Sequence, residues 1–143
     1  MQKRFARLSR YLGLLTLLGC GGNPLIATWT AAISPQTGAT DKFALTLNSD
    51  KSLSMALSGT GSCSGSLSYA GMTWSSSGST LTISGTPTCT GAGVTCPAPV
   101  GTLGCSSTGP GASSCTYAMS NNNKSLVVSG CSDSTYDATY TTP

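Results

Sequence analysis

The chain has 143 residues with seven Lys or Arg, four Asp, no Glu and no His, and four of the cations (Lys3, Arg4, Arg7, Arg10) fall in the first ten positions. Residues 20–143 therefore hold only Lys42, Lys51 and Lys124 against Asp41, Asp50, Asp133 and Asp137, a net charge of −1. Nucleic-acid binding draws on clustered Lys and Arg and general acid-base catalysis most often on His or Glu, so both partner and chemistry are argued against from the outset.

The basic start is followed by an apolar run at residues 11–18, the order of a secretory signal. The run is too short to span a bilayer, which takes roughly 20 apolar residues, and no later stretch approaches that length. It closes on Leu17-Leu18-Gly19-Cys20, which resembles the lipobox of bacterial lipoproteins. The resemblance implies cleavage before Cys20, a diacylglycerol on its sulfur, and palmitate-type acylation of the new first residue. The expected membrane partner is then reached through lipid; several acyl chains at about 0.8 kcal/mol per methylene anchor stably. Gly21 stands where many lipoproteins kept at the inner membrane carry Asp, so the resemblance implies the outer membrane, periplasmic or surface side left open. The tether at residues 21–24 reaches at most about 14 Å at ~3.5 Å per residue. The expected organisation is a signal at 1–19, an acylated cysteine and tether at 20–24, and a single β-rich domain at 25–143.

Leu25, Ala27, Trp29, Ala31 and Ile33 share one face of an extended segment, which predicts a first strand ending at Ser34-Pro35. Phe43, Leu45 and Leu47 alternate with Ala44 and Thr46, and the pattern resumes as Leu53, Met55 and Leu57. Folding about Asp50 pairs Leu47 with Leu53, Leu45 with Met55 and Phe43 with Leu57 on one buried face. Leu67 and Tyr69 fall out of phase with Met72 and Trp74 unless Ala70-Gly71 forms a bulge. A loop over 75–78 then sets Trp74 opposite Ser79 and Met72 opposite Leu81. Tyr117 and Met119 fold onto Leu126 and Val128 around residues 121–124, and Tyr136, Ala138 and Tyr140 make a last strand. Strands at this spacing with turn signals between them predict an all-β fold, an antiparallel meander or small up-and-down β-barrel.

Six cysteines remain after Cys20: Cys63, Cys89, Cys96, Cys105, Cys115 and Cys131. An even count in an exported small domain reads as a disulfide framework. Continuing the hairpin registers sets Cys63 opposite Cys89 and brings Cys115 to Cys131 through a bulge at Gly130; elimination leaves Cys96 with Cys105. The Gly/Pro-rich loop at 89–115 has no usable periodicity. It reads either as an exposed insertion stapled by disulfides or as a recognition loop with Val94, Val100 and Leu103 as apolar contacts.

Hydrolytic and phosphate-loop motifs are missing, and without His or a Cys-x-x-Cys pair no zinc site is expected. Asp133 and Asp137 lack the ligand spacing of a calcium loop and read as solvated. No catalytic residue, metal or cofactor is expected, and the chain is read as a non-enzyme. Trp29, Tyr69 and Trp74 are candidate ligand contacts, as aromatics often line small-barrel cavities; core packing explains the two tryptophans equally.

Ala27-Thr28-Trp29 on the opening strand, the hairpin from Leu45 to Leu53, and Met72-Thr73-Trp74 followed by Leu81-Thr82-Ile83 together resemble the lipocalin-like small barrels found among bacterial lipoproteins. A lipocalin places Gly two residues before the first-strand Trp, and here that residue is Ala27. Gly61-Ser62-Cys63-Ser64-Gly65 with a later Cys89 is also similar to the small META-type lipoprotein domains linked to envelope stress. Two functions follow as expectations. One is binding of a small apolar ligand in a cavity among Trp29, Tyr69 and Trp74; the other is a structural or envelope-protein interaction role with a filled core.

Overall fold

Alternation of apolar with Ser and Thr residues leaves one face of each strand for apolar neighbours and the other for water, and such a sheet buries its apolar face by curling until its edges meet. The computed structural model describes residues 22–36, 39–99, 101–105 and 110–142 and shows this closure: an all-β, eight-strand antiparallel barrel. The strands are β1 (Ala27–Gln36), β2 (Ala39–Leu47), β3 (Ser52–Gly61), β4 (Ser64–Ser77), β5 (Thr80–Ser84), β6 (Thr88–Thr95), β7 (Thr102–Leu103), β8 (Ser113–Ser120), β9 (Ser125–Ser129) and β10 (Ala138–Thr141). Around the barrel the order is β1-β2-β3-β4-β5-β8-β9-β10, closed between β10 and β1 where Thr30 meets Thr141 and the Thr30 hydroxyl donates to the Thr141 carbonyl at 3.2 Å. Apart from the inserted β6 and β7 this is the up-and-down meander that the sequence predicts. The long β4 makes room for the insertion: its last residues pair with β5, its first with β6, and β7 covers the outer edge of β6.

Register is set by side-chain pattern where that pattern is strict. β2 and β3 pair Leu47 with Leu53, Leu45 with Met55 and Phe43 with Leu57, and all six are buried, each side chain stabilising the barrel by about 1.5–3 kcal/mol. Their turn is held by Asp50, whose carboxylate accepts from the Ser52 hydroxyl at 2.6 Å and the Ser52 amide at 2.8 Å. Those two bonds, hydroxyl first, hold its pKa below the ordinary 3.8. On β4, Ala70 and Gly71 lie between the pairs Met55–Tyr69 and Leu53–Met72 and so face Ser54 alone. This is the expected bulge. Gly71 adopts φ 86°, a conformation that costs residues with a Cβ, and the extra residue turns Leu67, Tyr69, Met72 and Trp74 all inward. β8 and β9 pair Tyr117 with Val128 and Met119 with Leu126 as predicted.

Five expectations need correction. β1 does not stop at Ser34-Pro35 but runs to Gln36, its register shifting between Ile33 and Gln36, an irregularity that accommodates the proline's missing N–H. The β4–β5 turn is the two residues Gly78-Ser79, pairing Ser77 with Thr80 and Trp74 with Ile83; two-residue turns match strand twist better than the four-residue loop expected. That shift displaces everything after it. Cys89 comes opposite Tyr69, and Ser64 opposite Thr95 brings Cys63 beside Cys96, so the disulfides are Cys63–Cys96 and Cys89–Cys105, with only Cys115–Cys131 as expected. The segment 89–115 is not without regular structure, since it carries β6 and β7. Finally, Tyr136 ends a 3-10 turn over Ser134–Tyr136 instead of opening the last strand.

Strand directions give the barrel two unlike ends. One carries the turns β2–β3, β4–β5 and β8–β9 together with the start of β1 and the end of β10. The other carries the β6–β7 insertion, all three disulfides and the 3-10 turn.

Candidate binding site at the barrel mouth

The turn end is filled. Trp29 and Trp74 are buried there, with Leu45, Leu47, Leu53 and Met72 also in the core. Each indole N–H has a backbone acceptor, Leu25 O at 2.9 Å for Trp29 and Asn48 O at 3.0 Å for Trp74, and the Lys51 ammonium stands 4.2 Å from the Trp74 ring centroid. Both tryptophans are core residues and neither borders the cavity at the opposite end. Tyr69 does.

The opposite end holds a cavity of about 330 Å3. Its walls come from inward positions on neighbouring strands: Phe43 on β2, Met55 and Leu57 on β3, and Tyr69 on β4. Leu103 of β7 and Pro110 bound it from the insertion, and Leu103 is 51% exposed at its edge. The polar rim is Asp41, Ser134, Thr135 and Asp137. Phe43 is backed by Tyr140, ring centroids 6.1 Å apart.

A hydrogen-bonded lip holds this mouth in shape. Tyr136 is fully buried and its hydroxyl donates to Gly111 O at 2.9 Å, while the Tyr140 hydroxyl donates to Tyr136 O at 3.0 Å. The Asp133 carboxylate accepts from the amides of Gly111 at 2.8 Å and Thr135 at 3.0 Å, and its own amide donates to Ser113 Oγ. Partial burial alone raises the Asp133 carboxyl, but hydrogen bonds from the Thr135 side chain and the two amides outweigh it and hold the group below 3.8. Burial pushes the Tyr136 phenol well above its ordinary 10.0, with the Asp133 charge adding. Burial does the same to Tyr140, helped by Tyr136 and Asp137. Both phenols thus stay protonated donors.

Asp41 Oδ1 lies 3.8 Å from Cys96 Sγ, and Asp41, Cys63 and Cys96 cluster closely enough to suggest a metal site. Both sulfurs are spent in the Cys63–Cys96 disulfide, which leaves no thiolate to ligate. Of the loop contacts expected from sequence, Val94 is buried in the core and Leu103 borders the cavity. Val100 and the lipidation residue Cys20 lie outside the described residues. The sequence reading missed Asp41, Phe43, Leu57 and Asp137 as site residues. For Phe43 and Leu57 the signal was present, as paired inward positions of the strictly alternating β2–β3 hairpin. No family model, curated protein or solved structure matches the chain.

Proposed function

We propose that this chain is a lipid-anchored, non-catalytic binding protein that holds a small, largely apolar molecule in the mouth of its barrel. The observation that carries the reading is the mouth cavity, whose volume of about 330 Å3 falls at the lower end of the range of about 300–1,000 Å3 for small-molecule sites. An apolar wall with a few polar groups at one edge is the usual make-up of such sites. The lipid anchor rests on Leu17-Leu18-Gly19-Cys20 behind the basic start, and the outer membrane on the residue after the cysteine.

The fold gives this reading an orientation. Residue 25 enters the barrel at the turn end, where Asn23 fixes the lead-in by accepting from the Leu25 amide at 3.0 Å and the Ile26 amide at 3.0 Å. A lipid on Cys20 would hold that end at the membrane, and the mouth would open one strand length away, roughly 20–30 Å for nine residues of β2 at ~3.3 Å each. Ligand then arrives from the aqueous side. The filled turn end favours the second reading, a structural or protein-interaction role, and calorimetry with 2-phenylethanol on the full chain separates the two. Binding that is lost in Leu57→Trp, with the melting temperature retained, supports the cavity. Heat of binding that Leu57→Trp leaves unchanged, or none at all, favours the structural role. Metabolic labelling with an alkyne analogue of palmitate, lost in Cys20→Ala, tests the anchor.

A further inference from the structure

The mouth is apolar inside and acidic outside. Asp41 opens onto it from the first residues of β2, and Asp137 from the residue before β10. β1 alone separates those two strands, which puts the two backbones about 10 Å apart at ~4.8 Å per strand spacing, and both side chains border the same cavity. Asp133 adds a third charge close by, committed to the lip through its amide bonds. Among the described lining residues there is no Lys or Arg. Lys42 follows Asp41 on β2 and is exposed, pointing to the other face by strand alternation, and Lys51 and Lys124 sit in turns at the far end of the barrel. The mouth end thus carries Asp41, Asp133 and Asp137 against Lys42 alone, and the turn end Lys51 and Lys124 against Asp50, which leaves the negative excess at the opening.

From this arrangement we infer that the mouth selects small amphiphiles carrying one protonated amine: the apolar body lies against Phe43, Met55, Leu57 and Tyr69, and the ammonium meets Asp41 and Asp137 at the rim. The inference rests on the binding function proposed above and narrows it. A carboxylate-bearing ligand such as a fatty acid brings like charge to two carboxylates and is rejected, discrimination by repulsion as much as by attraction. The carboxylates are partly exposed, so their preference is modest and falls with salt.

Three matched probes test this on the full chain held in lipid nanodiscs: phenethylamine, 2-phenylethanol and phenylacetate. The expected order of affinity is amine above alcohol above carboxylate, with about a fivefold step between neighbours. Raising salt compresses the steps, and Asp41→Asn with Asp137→Asn removes most of them, read as the ratio of amine to phenylacetate affinity. Asparagine keeps an oxygen to accept the Cys131 amide that Asp137 holds at 3.0 Å, so the variant retains its fold; the salt series on the unaltered chain gives the same answer without mutation. Equal affinities for the three probes, or tighter binding of phenylacetate, overturn the amine assignment and leave the binding function standing. No binding of any probe overturns both.

Discussion

Replacing Tyr136 with phenylalanine deletes one oxygen from a fully buried side chain and tests whether the lip of the mouth is a hydrogen-bonded unit. The hydroxyl's partners are Gly111 O at 2.9 Å and, more weakly, Met72 Sδ at 3.5 Å; the Tyr140 hydroxyl keeps its acceptor, the Tyr136 carbonyl, because that is backbone. What remains is a carbonyl without its donor in a partly buried place, a loss of about 1–2 kcal/mol. For a domain of this size each kcal/mol moves the melting midpoint by about 3–6 °C, so Tyr136→Phe is expected to melt about 3–12 °C lower. Because Gly111 follows Pro110 at the cavity edge, the same variant is expected to bind 2-phenylethanol more weakly. Calorimetric melting and titration of the one variant give both numbers. A midpoint and an affinity both equal to those of the unaltered chain would refute the lip as the element that shapes the mouth.

Removing the Cys115–Cys131 disulfide as Cys115→Ala/Cys131→Ala opens a link across 16 positions and is expected to cost about 3 kcal/mol in urea unfolding; a loss under about 1 kcal/mol contradicts it. Alkaline stability follows from the raised phenols. Tyr136 and Tyr140 contribute fully below the ordinary value of 10.0 and lose that contribution as pH climbs toward their folded-state values, so the unfolding midpoint is expected to hold to about pH 10 and fall above it. The Tyr136→Phe/Tyr140→Phe variant should fall less steeply there, and parallel curves would count against the assignment. Tryptophan emission is expected to stay unchanged on saturation with phenethylamine, since Trp29 and Trp74 lie in the turn end; a shifted spectrum places the ligand elsewhere.

What could be read from the chain depended on how strictly its apolar residues alternate. Phe43 to Leu57 alternate without a break, and a one-residue slip would turn six apolar side chains to water, so that hairpin was legible to the residue. The bulge at Ala70-Gly71 was legible for the same reason, as the single place where inward residues fall out of phase. Residues 75–79 are four serines and a glycine, with no apolar marker to fix the turn, and the misplaced turn carried two disulfides with it. β6 contains Gly91, Ala92 and Gly93, too little side chain to leave a period; its place is set by pairing along β4. The cavity was less legible than its walls. Phe43, Met55 and Leu57 read as inward, but the space between them stays open because Leu103 and Pro110 and the 3-10 turn border the mouth without filling it, a tertiary outcome. Aromatic identity pointed to Trp29 and Trp74 as ligand contacts, whereas position along the strand decides which end of a barrel a side chain serves.

Intermolecular NOEs between phenethylamine and the full chain bear most directly on the claim that the mouth is the binding site. Contacts from the probe's ring to the methyls of Met55 and Leu57 and to the Tyr69 ring, with none to either indole, are the expected result. Contacts to Trp29 or Trp74, or contacts scattered over the outer faces of the strands, would contradict it.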